Sequence, residues 1–133
     1  MSSDLLRKYA NLVESAMDTA AQIKLPANER KHIRDVSGVG RAWDDTVALI
    51  EKSIPRDQIR WINVASALPK KLNLGAGKKI GETQLASERG DVSNTYYKID
   101  GTNIIYSRQR INGRAESYAT LYFDVADTDL LFN

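Results

Sequence analysis

Residues 96–123 read YYKIDGTNIIYSRQRINGRAESYATLYF, and two dipeptides in this stretch decide its fold. Asp100-Gly101 and Asn112-Gly113 are strong two-residue hairpin signals, because a type I′ turn needs positive φ at both central positions. Taken as turn centres, they pair Ile99 with Thr102 and Tyr97 with Ile104. In the next hairpin they pair Ile104 with Leu121, Tyr106 with Ala119 and Thr102 with Phe123. Both turns then put Tyr97, Ile99, Ile104, Tyr106, Ala119, Leu121 and Phe123 on one face. The spacing predicts a three-stranded antiparallel meander over residues 95–125.

Outward from the meander the pattern changes. Residues 69–94 are rich in lysine and glycine and hold no lasting period, so they are expected to form a long basic loop or arm, with a short strand near residues 80–85. A loop of that length inside a compact domain is usually functional or disordered. Residues 1–68 read as helical. Leu5, Tyr9, Leu12, Val13, Ala16, Met17, Ala20 and Ile23 recur at three- and four-residue spacing over residues 3–24, with Ser3 as N-cap and Pro26 as the stop. A second helix is expected over residues 27–36. A third is expected over residues 41–52, with Trp43, Val47 and Ile50 inward. A fourth segment opens at Pro55, where Ile59, Ile62 and Ala65 have helical spacing; residues 59–64 also suit a strand, and the helix is the favoured reading. The expected class is α+β in a single domain, with an N-terminal bundle of three to four helices, the arm, the meander and a docking tail over residues 126–133.

With 133 residues the chain can bury a real core without staples. It has no cysteine, hence no disulfide, thiolate metal site or cysteine nucleophile. No apolar run approaches a membrane span and no signal-peptide core opens the chain, so cytoplasmic synthesis is expected, with no membrane partner. Residues 56–114 hold eleven basic and five acidic side chains, while residues 115–133 hold four acidic and none basic. A basic middle beside an acidic end can steer a polyanion or pair head to tail with another copy, and a solvated surface produces the same pattern.

Chemistry-bearing sets are few. Gly38-Val39-Gly40 followed by Arg41 resembles the hairpin of the helix-hairpin-helix DNA-binding family, which offers backbone amides to a phosphate. Asp44 stands where that family packs a small apolar residue, and an ordinary glycine-containing turn explains the same residues. Gly75-Ala76-Gly77-Lys78-Lys79 is no P-loop, because Leu72 and Lys79 occupy positions that need Gly and Ser or Thr. Lys70, Lys71, Lys78, Lys79 and Arg41 are candidate contacts to DNA or another polyanion. Tyr96, Tyr118 and Tyr122 share the second meander face, where they can meet a partner, pack on the chain's own helices or stack bases. His32 lies among Arg30, Lys31 and Arg34, and Asp124, Asp127 and Asp129 match no calcium loop. No nucleophile–base pair is legible, so the expectation is a non-enzyme without cofactor or metal. Leu130, Leu131 and Phe132 are candidate docking residues, since apolar side chains at a chain end need something to bury them.

In order, the chain has a helical half, a proline-lysine loop, Tyr-Tyr-Lys-Ile-Asp-Gly-Thr-Asn-Ile-Ile-Tyr-Ser, Asn-Gly, and Tyr-Ala-Thr-Leu-Tyr-Phe-Asp-Val-Ala-Asp-Thr-Asp-Leu-Leu. In this pattern it resembles the head-to-tail adaptor and connector proteins of tailed bacteriophages, over residues 69–131. That family continues into further helices where this chain stops. The resemblance implies a virion structural protein of the neck or tail, made in the host cytoplasm. Copies would form a homo-oligomeric ring on neighbours such as the portal, by adhesion without chemistry. The alternative from another class is a small DNA-binding protein using the Gly38–Arg41 hairpin and the lysine arm.

Overall fold

The computed structural model describes residues 25–37, 40–65, 77–88, 90–99 and 101–132. Among these, one antiparallel sheet dominates. Its strands are β1 (Arg34–Asp35), β2 (Ile59–Ala65), β3 (Lys78–Ser87), β4 (Gly90–Lys98), β5 (Ile105–Ile111) and β6 (Arg114–Asp124). They lie in the order β1-β2-β6-β5-β4-β3. Helices are short: α1 (Asp44–Ile50), α2 (Thr128–Leu131) and single 3₁₀ turns at Ala27–His32, Arg41–Trp43, Arg56–Gln58 and Val125–Asp127.

This corrects the expected class. A helical bundle followed by a three-stranded meander is not what forms. The favoured fourth helix is strand β2, whose residues pair with β6 from Ile59↔Asp124 to Ala65↔Tyr118. The expected second helix is one 3₁₀ turn followed by β1. The third narrows to the 3₁₀ turn at Arg41–Trp43 and α1, with Val47 and Ile50 buried as expected and Trp43 half-buried. Much of the expected arm is the β3–β4 hairpin, which adds a fourth strand to the meander. The helix expected over residues 3–24 lies outside the described residues.

The hairpin registers differ from the turn rule by two residues, and the reason is local. Asn112 (φ 50°) and Gly113 (φ 81°) form the expected positive-φ turn, and Ile111 pairs with Arg114 beside it. An irregularity between Arg108 and Arg110 then advances the partner strand, so Tyr106 faces Leu121. In the other hairpin, Thr102 builds a four-residue loop in place of a two-residue turn. Its hydroxyl donates to the Ile99 carbonyl (2.9 Å) and accepts from the Ile104 amide (3.0 Å), while the Ile99 amide donates to the Ile104 carbonyl. Tyr97 therefore faces Tyr106. A slip of two leaves every side chain on its face.

Both sides of the sheet are packed. On the helix side, Val47, Ile50 and Ile54 cover Ile59, Tyr96, Ile105 and Tyr122. On the other side, Leu25, Leu131 and Phe132 close over Ile62, Ile99, Ile104, Tyr106, Leu121 and Phe123. The first and last of the described residues meet there: the Leu25 amide donates to the Leu131 carbonyl (2.6 Å), and Leu25 and Phe132 form a parallel bridge.

Candidate functional site

The fold disperses the residues singled out from sequence. Tyr96 (1 % exposed) and Tyr122 (3 %) sit inside the helix-side core, so of the three readings of that face they follow self-packing. The Tyr96 hydroxyl bonds Thr46 Oγ1 (2.6 Å) and Thr83 Oγ1 (3.0 Å), and burial pushes its pKa up. The side chain of Tyr118 lies outside what is described. Leu131 and Phe132 are buried in the chain's own second core, while Leu130 stays exposed.

Lys70 and Lys71 lie outside the described residues. Lys78 and Lys79 open strand β3 at the sheet edge; Lys79 is paired with Glu82, which raises its pKa. Arg41 is exposed at the start of its 3₁₀ turn, away from that pair. The helix-hairpin-helix likeness loses its first helix, because strand β1 precedes the hairpin glycines. There Asp35 is pulled below its ordinary pKa by accepting from the Ser37 hydroxyl and amide. The linear charge division also dissolves. Pairing β3 with β4 and β5 with β6 returns Lys78 and Lys98 to the end of the sheet that carries Asp124.

Three surface features emerge that the sequence reading missed. The first is the sheet's two margins. Strand β3 has no strand on its outer side among the described residues, and β1 covers only Arg60 and Trp61 of β2. The first half of β3 carries the usual guards of an edge, namely Lys78, Lys79, Glu82 and a register shift between Lys79 and Gly81. From Thr83 to Ala86 it carries no charge, and Leu85 is 46 % exposed.

The second feature is a cationic patch on the face away from α1. Arg108 and Arg110 point from β5 beside Lys79, Thr95 and Tyr97 around a shallow hollow. The Tyr97 ring stacks on Tyr106 with centroids 5.1 Å apart. Strand alternation explains the patch, since residues two apart share a face.

The third is a groove of about 370 Å³ on the helix side, where α1 is too short to cover the whole sheet. Its wall is Trp43 and Trp61, 5.3 Å apart and tilted 30°. Trp61 Nε1 donates to the Asp35 carbonyl (3.1 Å) and the Arg34 guanidinium sits 5.7 Å over its ring. Among the described residues no group of three His, Asp or Glu is placed to hold a metal ion. No family model, curated protein or solved structure matches this chain.

Proposed function

We propose that this chain is a non-enzymatic virion structural protein, an adaptor, connector or other component of a neck or tail. Copies adhere to one another in a ring and to neighbours such as the portal. The observation that carries this reading is that, among the described residues, one sheet has two unlike open margins. A ring needs a heterologous contact, in which two different surfaces of each copy meet. The outer side of β3 and the uncovered half of β2 are two such surfaces. Strand addition across them would supply main-chain hydrogen bonds without requiring a chemical site.

Native mass by light scattering over a concentration series tests it. The expected result is a ring-sized species that Leu85→Lys reduces toward the 14.9 kDa monomer, since a charge on an exposed edge blocks strand addition while leaving the core untouched. A species of monomer mass at every concentration, for material taken from its natural source, would count against the reading.

One observation favours a second role for the same protein, contact with a polyanion. It rests on Arg108 and Arg110, which make no ion pair among the described residues, rather than on the hairpin glycines. Duplex-DNA affinity should then fall with salt, and Arg108→Gln with Arg110→Gln should flatten the log–log slope by about 2. An unchanged slope would remove this role.

A further inference from the structure

We infer that the tryptophan groove on the helix side is a binding site for a neutral saccharide. Two short rows of polar side chains, offset by one step, cross this face of the sheet. Thr83 pairs with Asn94 and Asn94 with Gln109; Asn63 pairs with Thr120 and Thr120 with Ser107. All five strands from β2 to β3 thus send uncharged amides or hydroxyls to the same face. One step along those strands, the same face is apolar, at Tyr96, Ile105 and Tyr122. The change is not the ordinary one from core to solvated surface. At the same level, the reverse face carries Glu82, Arg108 and Arg110, the charges that exposed strands normally bear. At that level the helix side carries none on these strands, its strand charges Lys78, Lys98 and Asp124 lying at the far end beyond Tyr96 and Tyr122. The groove's rim adds one charge of each sign, Arg41 and Asp45.

Those features select a ligand class. The hydroxyls of Thr83 and Thr120 are bonded to Tyr96 and Asn63. The amides that line the groove, Asn63 and Asn94 among them, offer donors and acceptors together, which is what a polyhydroxylated ligand presents in return. A phosphate or carboxylate ligand would need converging cations, whereas here Arg34 is stacked on Trp61 and Arg41 is offset by Asp45. The wall supplies the Trp43 ring and that part of the Trp61 ring which Arg34 and Trp43 leave uncovered, apolar surface that suits the C–H face of a sugar ring. Trp61 is held by its hydrogen bond to Asp35, by Arg34 above it and by Trp43 beside it, so little freedom remains to be lost on binding. The volume falls in the range of small-ligand sites. Thr120 Oγ1 donates to Asn63 Oδ1 (2.9 Å), fixing that amide with its nitrogen turned away from the shared bond.

The site needs no second copy, so it stands or falls apart from the assembly reading. Trp43 and Trp61 are the chain's only two tryptophans, which makes intrinsic fluorescence a direct reporter of the groove. The full chain is titrated with maltotriose, cellotriose and triacetylchitotriose, and with adenosine monophosphate as an anionic ring compound. The expected result is a saturable change with at least one trisaccharide, at a Kd of about 1 mM or tighter. Asn94→Ala should weaken it about tenfold with the unfolding midpoint little changed, and Asn63→Ala should weaken it about tenfold while lowering the midpoint, because buried Thr120 loses its acceptor. No saturable change with any of the three sugars overturns the proposal. So does binding of the nucleotide in their place, or sugar binding of unaltered affinity in both variants.

Discussion

On the helix side of the sheet, the cover comes from α1 and Ile54, which immediately precede β2 in sequence. On the other side it comes from Leu25 and from Leu131 and Phe132, segments separated by the whole meander. The helix side adds a polar side-chain tie, Tyr96 held by Thr46 and Thr83, whereas the far side is tied through the backbone, by the bond from the Leu25 amide to the Leu131 carbonyl. A core can therefore be closed by neighbours in sequence or by the two ends of the described chain. Only the second kind makes a terminal segment part of the fold's stability.

The strongest way to break this comparison is Phe123→Ala. Phe123 is 0 % exposed beneath Phe132, with ring centroids 6.1 Å apart, and its truncation should cost about 4 kcal/mol in chemical denaturation. A cost below about 1 kcal/mol would mean that the far side is not part of the cooperative core. Leu131→Ala comes next, at about 3 kcal/mol. If it instead left the unfolding midpoint in place while abolishing self-association, the C-terminal segment would be a docking element and not a core element.

Tyr96→Phe probes the polar tie and should cost about 1 to 2 kcal/mol, because it strips hydrogen-bond partners from buried Thr46. A neutral result would make the tie ornamental. The smallest effect belongs to Asp127, beside α2. Burial, with Asp124 nearby, raises its carboxyl above the ordinary value. Ionisation is then costlier in the folded chain; the penalty is absent below the unfolded pKa, grows as pH rises past it and is complete above the folded one. Asp127→Asn should therefore stabilise by about 0.5 kcal/mol at neutral pH, given its partly exposed position. At about pH 3 the thermal midpoints of the two forms should coincide.

The face of the meander was legible because alternation survives even-numbered slips: Ile99, Ile104, Tyr106, Leu121 and Phe123 share a core although their partners differ from the turn rule. The loop at Thr102 was not legible, since a single hydroxyl bonding two backbone groups leaves no period to detect. Strand β2 was misread for a physical reason. It is buried on both faces, with Ile59 toward α1 and Ile62 toward the chain ends. Its alternation is filled in, and the three-residue interval between these isoleucines mimics a helix. Of strand β3 only the short stretch expected near residues 80–85 was legible, because lysines and a register shift at its start erase period two. The groove residues gave no signal as a set, because Asn63, Asn94 and Gln109 come together only through strand pairing.

Strand β2 has one further consequence, for the order of folding. Strands β3 to β6 are joined by short turns, so each can find its neighbour quickly. Residue 59 must find residue 124 across the whole meander. Loop closure of that span is entropically costly and long-range pairing is slow. Because Ile59 and Ile62 belong to opposite cores, neither core is complete until this strand arrives. Its docking should be the rate-limiting step that closes both sides of the sheet at once, so mutations in β2 should slow folding more than those in the β3–β4 hairpin.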